Sequence, residues 1–405
     1  MSVIHSGSPV GPDDPGFPIY STEFNLDPHA VYDELRARFG ALAPVELAPG
    51  VPATLVVGYH TAVRILHDPD HFPADPRSWQ RKVSEDCPLR SMMEWYPAAR
   101  YTTGLEHARY RQASVDAIDA IDLASVRAHI EEISAPLLES IGAAGRADLA
   151  GDYAFPLLFG TLNKLIGVPP EIGQRMALGM AARFDSTKAA GSGMDMLETA
   201  LRDLIALKNE HPENDITTRL IQHSADLDSA EVGAQLMSFY GAGVEAGRNL
   251  ILNVMLLMLT EPRFGGGLIG GSLSTRDAID EVLFENPPMA NFCTTYPRQP
   301  VLIEGTWLPA DQPVVISIAA CNTDPAVADG GSGRTGNRSH LAWSAGPHVC
   351  PARTVAYLMV QDSIDILLDV LPDIELSVPA VELTWRPGPF HRSLTALPVT
   401  VGATG

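Results

Sequence analysis

SAGPHVCPARTVAYLMV, residues 344–360, sets Cys350 directly in front of Pro351 and a helix-like run. Proline is favoured at the first position of a helix, and the following residues separate into an apolar and an acidic face. The apolar face holds Val355, Leu358, Met359, Ile364, Leu367 and Leu368, and the acidic face holds Asp362, Asp365 and Asp369. Cys350 is therefore predicted to cap a buried helix, whose free N–H groups favour a thiolate. Gly346 would permit the close backbone approach this needs.

A buried, ionised thiol is stable mainly when it binds a metal, and the axial ligand of a haem iron is one such case. The alternative interpretation is a small buried cysteine that packs like an apolar side chain. The other cysteines, Cys87, Cys293 and Cys321, form no short CxxC pair with it or with each other. Neither a disulfide framework nor a zinc cluster is therefore expected.

The composition is that of an acidic globular protein. The 405 residues are 45% hydrophobic, with 28 basic and 49 acidic side chains and a net charge of −21, which disfavours nucleic acid or an anionic membrane as a partner. The N-terminal residues 1–20 lack the basic start and apolar run of a signal peptide. Glu245 and Arg248 interrupt the most apolar stretch, 232–259, and favour a core helix over a membrane span. A cytoplasmic, reduced protein is expected.

The apolar spacing predicts a mainly α protein with small β-sheets, an α+β arrangement in one large domain over residues 17–405. Residues 1–16 are rich in glycine and proline and are predicted to be a flexible tail. Helices are expected at 28–39 and near 275–286, where prolines follow, and a pair of strands at 43–59.

Two GxGxxG matches, at 265–270 and 331–336, raise the question of a nucleotide site. Such a site requires a strand before the glycines and a helix after them, and neither match has that context in the sequence pattern. Nucleotide binding is therefore not expected. The serine-hydrolase, zinc-protease and P-loop motifs do not occur in the sequence.

The residues around Cys350 resemble the cysteine loop of the cytochrome P450 haem-thiolate enzymes. That loop runs Phe-Gly-x-Gly-x-His-x-Cys-x-Gly, and this chain has WSAGPHVCPA at 343–352, in which Gly346, His348 and Cys350 match. The resemblance covers about residues 17–402. It implies the P450 fold, a haem b with Cys350 as its axial ligand and His348 close to it, and electrons supplied by a ferredoxin and its reductase.

LEHARYRQA, at 105–113, is similar to the family's helix with the pattern His-x-x-x-Arg, which implies that His107 and Arg111 hold a haem propionate. The spacing supports this independently, because residues i and i+4 share a helix face and could bind one carboxylate together. Taken alone, the helix would equally suit two solvated surface side chains.

The central helix departs from the family's pattern. Ala242, Gly243 and Glu245 match its Ala-Gly-x-acid sequence, but Ala246 stands where the family has a threonine that helps to deliver protons. Protons must then come from water, from the substrate or from Glu245. Glu245 could instead pair with Arg248 on the same helix, and both interpretations stay open.

Two arginines of the family's pattern are also missing. The motif Glu-x-x-Arg appears here with Glu281 and Phe284, which suggests that apolar packing replaces an ion network. A threonine near residue 294 replaces the arginine that the family offers to a propionate from the following strand. Arg298, a few residues on, is the candidate substitute.

These features predict an oxidoreductase, a monooxygenase that hydroxylates or epoxidises a small organic or secondary-metabolite substrate. Two alternatives stay open: oxidative cross-linking of aromatic rings in a peptide, and a haem-binding sensor or interaction protein with little turnover. The residues expected to line the substrate pocket, each of which could equally be core, are Met92, Trp95, Phe239, Ala242, Met289, Phe292 and Phe390. Arg353, close to Cys350, is expected to meet an acidic ferredoxin.

Overall fold

The computed structural model describes residues 16–184, 190–264, 273–327 and 337–402. Residues 1–15 of the predicted tail and both GxGxxG matches lie outside these ranges. Within them helices predominate and three small sheets accompany them, as the sequence predicted.

The helices are α1 (Thr22–Leu26), α2 (Pro28–Phe39), α3 (Tyr59–Leu66), α4 (Arg77–Gln80), α5 (Arg90–Met93), α6 (Gly104–Asp119), α7 (Leu123–Ala144), α8 (Phe155–Ile166), α9 (Pro170–Phe184), α10 (Ala190–Glu210), α11 (Ile216–Ile221), α12 (Ser229–Tyr240), α13 (Ala246–Thr260), α14 (Thr275–Glu285), α15 (Ile318–Asn322) and α16 (Arg353–Val370). The strands are β1 (Phe17–Pro18), β2 (Leu42–Ala48), β3 (Val51–Val56), β4 (Arg146–Asp148), β5 (Asn291–Thr295), β6 (Val301–Ile303), β7 (Thr306–Leu308), β8 (Val314–Ser317), β9 (Glu375–Leu376) and β10 (Pro398–Thr400).

Local capping signals fix the ends of several helices. The Asp27 side chain accepts from the N–H of Ala30 at 3.1 Å at the start of α2, which confirms the helix expected at 28–39. Ser274 and Asp277 form a capping box at the start of α14, and that helix ends at Glu285, before the two prolines.

The largest sheet has the strand order β1-β2-β3-β8-β5. The expected strand pair at 43–59 is confirmed, since β2 and β3 are antiparallel around a turn at Gly50 with φ +73°. β8 pairs parallel with β3 and antiparallel with β5. This leaves β5, which carries Phe292 and Cys293, at an edge of the sheet.

α12, a π-helical segment (Gly241–Glu245) and α13 form one helix over Ser229–Thr260. Length and composition alone would let it cross a membrane, but 44% of its apolar window is buried inside the protein. It packs against α8 and α16, and its α13 half packs against α14. These contacts are those of the core helix that the sequence predicted.

α16 differs from its predicted pattern on one face. Val355, Met359 and Leu367 are buried as expected. Asp362, expected on the solvated face, is only 5% exposed and accepts from Nε of Arg127 at 3.0 Å. The prediction failed here because α7 packs on that side of α16 and supplies the cation that a buried carboxylate needs.

Candidate functional site

Cys350 lies in the turn that leads into α16. Its N–H donates to the carbonyl oxygen of Trp343 at 2.8 Å, after a 3-10 turn over Gly346–His348. α16 begins at Arg353 with Ala352 as its cap residue, so the prediction that Cys350 itself caps the helix is wrong. The helix end still reaches the sulfur, because the N–H of Ala352 donates to it.

Gly346 makes the close backbone approach that the sequence suggested. Its φ is +66°, and a Cβ added there would lie 2.1 Å from the carbonyl oxygen of Leu66, the last residue of α3. Only glycine combines this conformation with this contact. The cysteine turn is therefore fixed against α3 by the absence of a side chain.

Electrostatics alone do not make Cys350 a thiolate. Burial raises the pKa of the thiol above its usual range, and the Ala352 N–H, Arg111 and Arg353 offset only part of that rise. A metal cation would displace the proton. No group of three or more metal-binding side chains occurs in the described ranges, and the resemblance of the cysteine loop implies a haem iron as the metal.

Three basic side chains gather beside Cys350. The ring centroids of His107 and His348 lie 4.2 Å apart, and Arg111 is one turn beyond His107 on α6. Burial, then the charge of Arg111, lowers the pKa of His107. Burial, then His107 and Arg111, lowers that of His348 to about 3. Both imidazoles are therefore neutral at pH 7, and Arg111 supplies the permanent charge.

This basic group forms no close ion pair within the part of the chain that the structure describes, and Asp119 acts on Arg111 only through its charge at longer range. None of the salt bridges among the described residues includes Arg111, and Nε2 of His107 is buried without a hydrogen-bond partner. Unsatisfied buried polar atoms are rare in folded proteins. An unpaired arginine beside an unsatisfied imidazole nitrogen suits an anionic ligand such as a carboxylate.

The π-helical segment carries Ala242, Gly243 and Glu245. Such segments are frequent at functional sites because they interrupt regular packing. Ala242 is exposed, whereas Gly243 lies against α8, where an added Cβ would meet Leu162 at 2.7 Å. The segment therefore presents small, uncharged surface at Ala242 and is anchored at Gly243.

Glu245 accepts a hydrogen bond from Arg386, 141 residues away in the chain, rather than pairing with Arg248. Arg248 instead donates to the carbonyl of Ala150 and to the Ser393 hydroxyl, each at 3.4 Å. The ion pair ties the central helix to the C-terminal segment. It leaves the Glu245 carboxylate partly buried, with 18% of its side chain exposed.

Comparison with known proteins identifies the family. No protein-family model matches the chain. The cytochrome P450 monooxygenase PikC of Streptomyces venezuelae is 30% identical over 393 residues, which cover 93% of this chain and 92% of PikC. This chain belongs to the cytochrome P450 family. The 2-hydroxy-5-methyl-1-naphthoate 7-hydroxylase of Streptomyces carzinostaticus is 27% identical over 401 residues, 93% of this chain and 97% of that enzyme.

The solved structure of the cytochrome P450 CYP154C4 from Streptomyces sp. W2061 has the same fold. Its TM-score is 0.83 at 26% identity, covering 92% of this chain and 95% of that one. The resemblance and the fold class expected from the sequence are confirmed. The chain is a P450-type oxidoreductase, and its relatives imply a haem held by a cysteine thiolate. The half-buried Cys350 thiol and the basic group, which forms no close ion pair among the described residues, fit that cofactor.

In the Glu-x-x-Arg motif of this P450, Phe284 stands at the arginine position and packs against an aromatic ring. Phe284 meets the ring of His340 edge-on, with centroids 5.2 Å apart. Glu281 pairs with Arg263 at the end of the central helix. Arg338 pairs with Asp280 at 2.9 Å. Arg263 thus binds the acid of the motif, and Asp280 binds the loop ahead of the cysteine through Arg338.

His340 makes the stability of this P450 depend on pH. Burial, the largest cause, lowers its pKa to about 4, and its unfolded value is about 6.5. Between these two pKa values the unfolded chain binds a proton that the folded protein does not. The contribution of His340 to the free energy of unfolding is therefore fully present above pH 6.5 and is lost as the pH drops toward 4. We expect His340→Gln to reduce the slope of unfolding free energy against pH by up to about 1.4 kcal/mol per unit. Urea unfolding between pH 4 and 7 measures this, and an unchanged slope would contradict it.

Four of the predicted pocket residues come together in one cluster. Met92, Met289 and Phe292 pack against the core cluster that contains buried Phe390, and the rings of Phe292 and Phe390 meet edge-on at 6.0 Å. Phe239 packs against a different cluster. Trp95 lies under the Arg77 guanidinium, whose carbon is 5.0 Å from the ring centroid.

Arg298 does not join the basic group. Its Nη2 lies 3.1 Å from Oδ2 of Asp75, which also binds Arg77 at 2.8 Å. The local spacing near 294 suggested Arg298, but the buried Asp75 carboxylate, 223 residues earlier in the chain, holds it. The sequence analysis also missed Arg386, because no local pattern connects it to Glu245.

Proposed function

We propose that this P450 uses Cys350 as the axial ligand of a haem b and oxidises a small apolar secondary metabolite. His107, Arg111 and His348 would hold a carboxylate of the haem, with Gly346 fixing the cysteine turn. The observation that carries the proposal is the basic group beside the half-buried Cys350 thiol, in which Arg111 has no salt bridge and Nε2 of His107 has no hydrogen-bond partner among the described residues.

When bound, a haem-thiolate supplies the activation of dioxygen and the transfer of one oxygen atom. The side chains around it exclude water and hold protons. Ala242 leaves space for substrate on the central helix, and Ala246 has no hydroxyl to offer. Glu245 is the nearby carboxyl that can hold a proton, and Arg386 fixes its position.

The substrate class follows from the lining and from the relatives. Met92, Met289, Phe292 and Phe390 share one apolar cluster, whose partly buried members would contact a rigid hydrophobic molecule. The relatives include the naphthoate 7-hydroxylase and the mycinamicin IV hydroxylase/epoxidase of Micromonospora griseorubida, which is 28% identical over 309 residues. We therefore expect hydroxylation or epoxidation of a polyketide-like or polycyclic compound.

Electrons would come from a ferredoxin and its reductase in the cytoplasm. The surface next to Cys350 combines the exposed Arg353 with the exposed apolar side chain of Val349, at 38%. A positive charge beside an apolar contact suits an acidic iron–sulfur protein. The positive charge at this docking surface is local, because the whole chain carries a net charge of −21.

The alternatives are not favoured by any specific contact. Relatives are named as monooxygenases and hydroxylases, and none of those compared is named as a sensor or as a peptide cross-linking enzyme. A ligand screen separates these functions. The proposal expects at least one apolar library compound to displace the axial water of the iron and to yield a product with one added oxygen atom. Gas binding without any product would support a sensor instead.

Glu245→Gln is expected to lower the product formed per electron pair by about tenfold or more, because it removes the proton donor and leaves electron uptake intact. The measurement is product against NADH consumed, in ordinary and heavy water. Glu261→Gln, an exposed change at the end of the same helix, is the control. An unchanged ratio in Glu245→Gln would assign the proton route to water or substrate.

A further inference from the structure

Arg100 lies over the edge strand of the large sheet. Its guanidinium carbon is 4.0 Å from the ring centroid of Phe292 and 4.9 Å from that of Tyr101. A guanidinium stacked on an aromatic ring keeps its N–H donors directed outward in the ring plane. Arg100 is therefore held at one end while its hydrogen-bonding edge stays free.

Cys293 connects Arg100 to the cysteine turn. Cys293 is half-buried, and desolvation raises the pKa of its thiol; the other groups that act on that pKa include Ser344, Arg100 and Cys350. Ser344 belongs to the turn that contains Cys350, and Phe292 is next to Cys293 on β5. Arg100 and Cys350 therefore lie within electrostatic reach of the same thiol, on the β5 side of the turn.

No carboxylate of the described chain neutralises Arg100, since their salt bridges and hydrogen bonds leave it out. The neighbouring arginines are satisfied: Arg77 and Arg298 share Asp75, and Arg109 binds Glu231. A haem has two carboxylates, and the basic group on α6 provides for one. A second cation without a salt bridge, beside Cys293, suits the other.

We propose that Arg100 binds the second haem carboxylate, as a positioning residue that replaces the arginine this chain lacks on strand β5, while Arg298 stays paired with Asp75. The inference rests on the proposed haem-thiolate function. The stack on Phe292 fixes the guanidinium before haem binds, so little side-chain freedom remains to be lost.

The test is the rate of haem release to excess apomyoglobin from the haem-loaded protein. Arg100→Gln should release haem about tenfold faster or more, because a hydrogen-bonded charge pair is lost. Arg100→Lys should fall between, since it keeps the charge without the planar fork. Arg298→Gln is the matched control and should release haem at the rate of the unaltered protein. The circular dichroism of each variant reports its fold.

The outcomes separate the inference from the proposed function. An unaltered protein that binds no haem through a thiolate removes the proposed function itself. A thiolate-ligated protein in which Arg100→Gln and Arg100→Lys release haem at the original rate overturns only the role of Arg100. Fast release from Arg298→Gln together with slow release from Arg100→Gln would assign that carboxylate to Arg298.

Discussion

Cys350→Ser is expected to lower turnover by about a thousandfold or more, because a serine hydroxyl cannot give the electron donation that a thiolate gives to haem iron. The carbon monoxide complex of the reduced variant should absorb at about 420 nm rather than about 450 nm. Haem content should also fall, since one bond to the iron is weakened. Absorption spectra and turnover with a ferredoxin system measure both effects.

Cys293→Ser is the matched control. Both thiols lie in the same region and burial raises the pKa of each, but only Cys350 receives the N–H of Ala352. The control should keep the band at about 450 nm and most of its turnover. If the two variants exchanged these results, Cys293 would be the ligand and the assignment of Cys350 would be wrong.

Among substitutions that add one methyl group to the cysteine turn, Gly346→Ala is expected to lower the free energy of unfolding the most. The added Cβ would lie 2.1 Å from the carbonyl oxygen of Leu66 and 2.9 Å from its carbon, both backbone atoms that cannot rotate away. The left-handed φ of +66° adds a cost of about 1–2 kcal/mol, and the overlap adds about 1–3 kcal/mol more. Urea unfolding and haem content should both show the loss.

Gly305→Ala separates the two costs. Gly305 has φ +74° but nothing within 4 Å of an added Cβ, so only the backbone cost applies. Gly346→Ala should therefore be clearly less stable than Gly305→Ala. Equal losses in the two variants would show that the turn moves away from α3 freely, and that the contact with Leu66 does not position Cys350.

Local signals in the sequence predicted the parts of the fold that depend on neighbours in the chain. The helix at 28–39 was predicted from its apolar spacing, the end of the helix near 275–286 from the prolines that follow it, and the strand pair from the run at 43–59. The resemblance in the cysteine turn predicted the family for a similar reason, since that motif is contiguous.

Partners distant in the chain could not be predicted in this way. Pairing with Arg248 in its own helix was one of two interpretations left open for Glu245, and the structure pairs it instead with Arg386 from the C-terminal segment. Arg298 was predicted to bind a haem propionate because of its position after β5, but its guanidinium binds Asp75. Charged side chains bind whichever opposite charge the fold brings within about 4 Å, and spacing along one element does not contain that information.

The most direct test of the account is the carbon monoxide difference spectrum of the unaltered, reduced protein. A Soret band at about 450 nm is predicted, and it would show that haem is bound through a cysteine thiolate despite the missing arginines. A band at about 420 nm in fresh, folded protein would mean that the thiolate is protonated or absent. That result would contradict the monooxygenase function proposed for the site at Cys350.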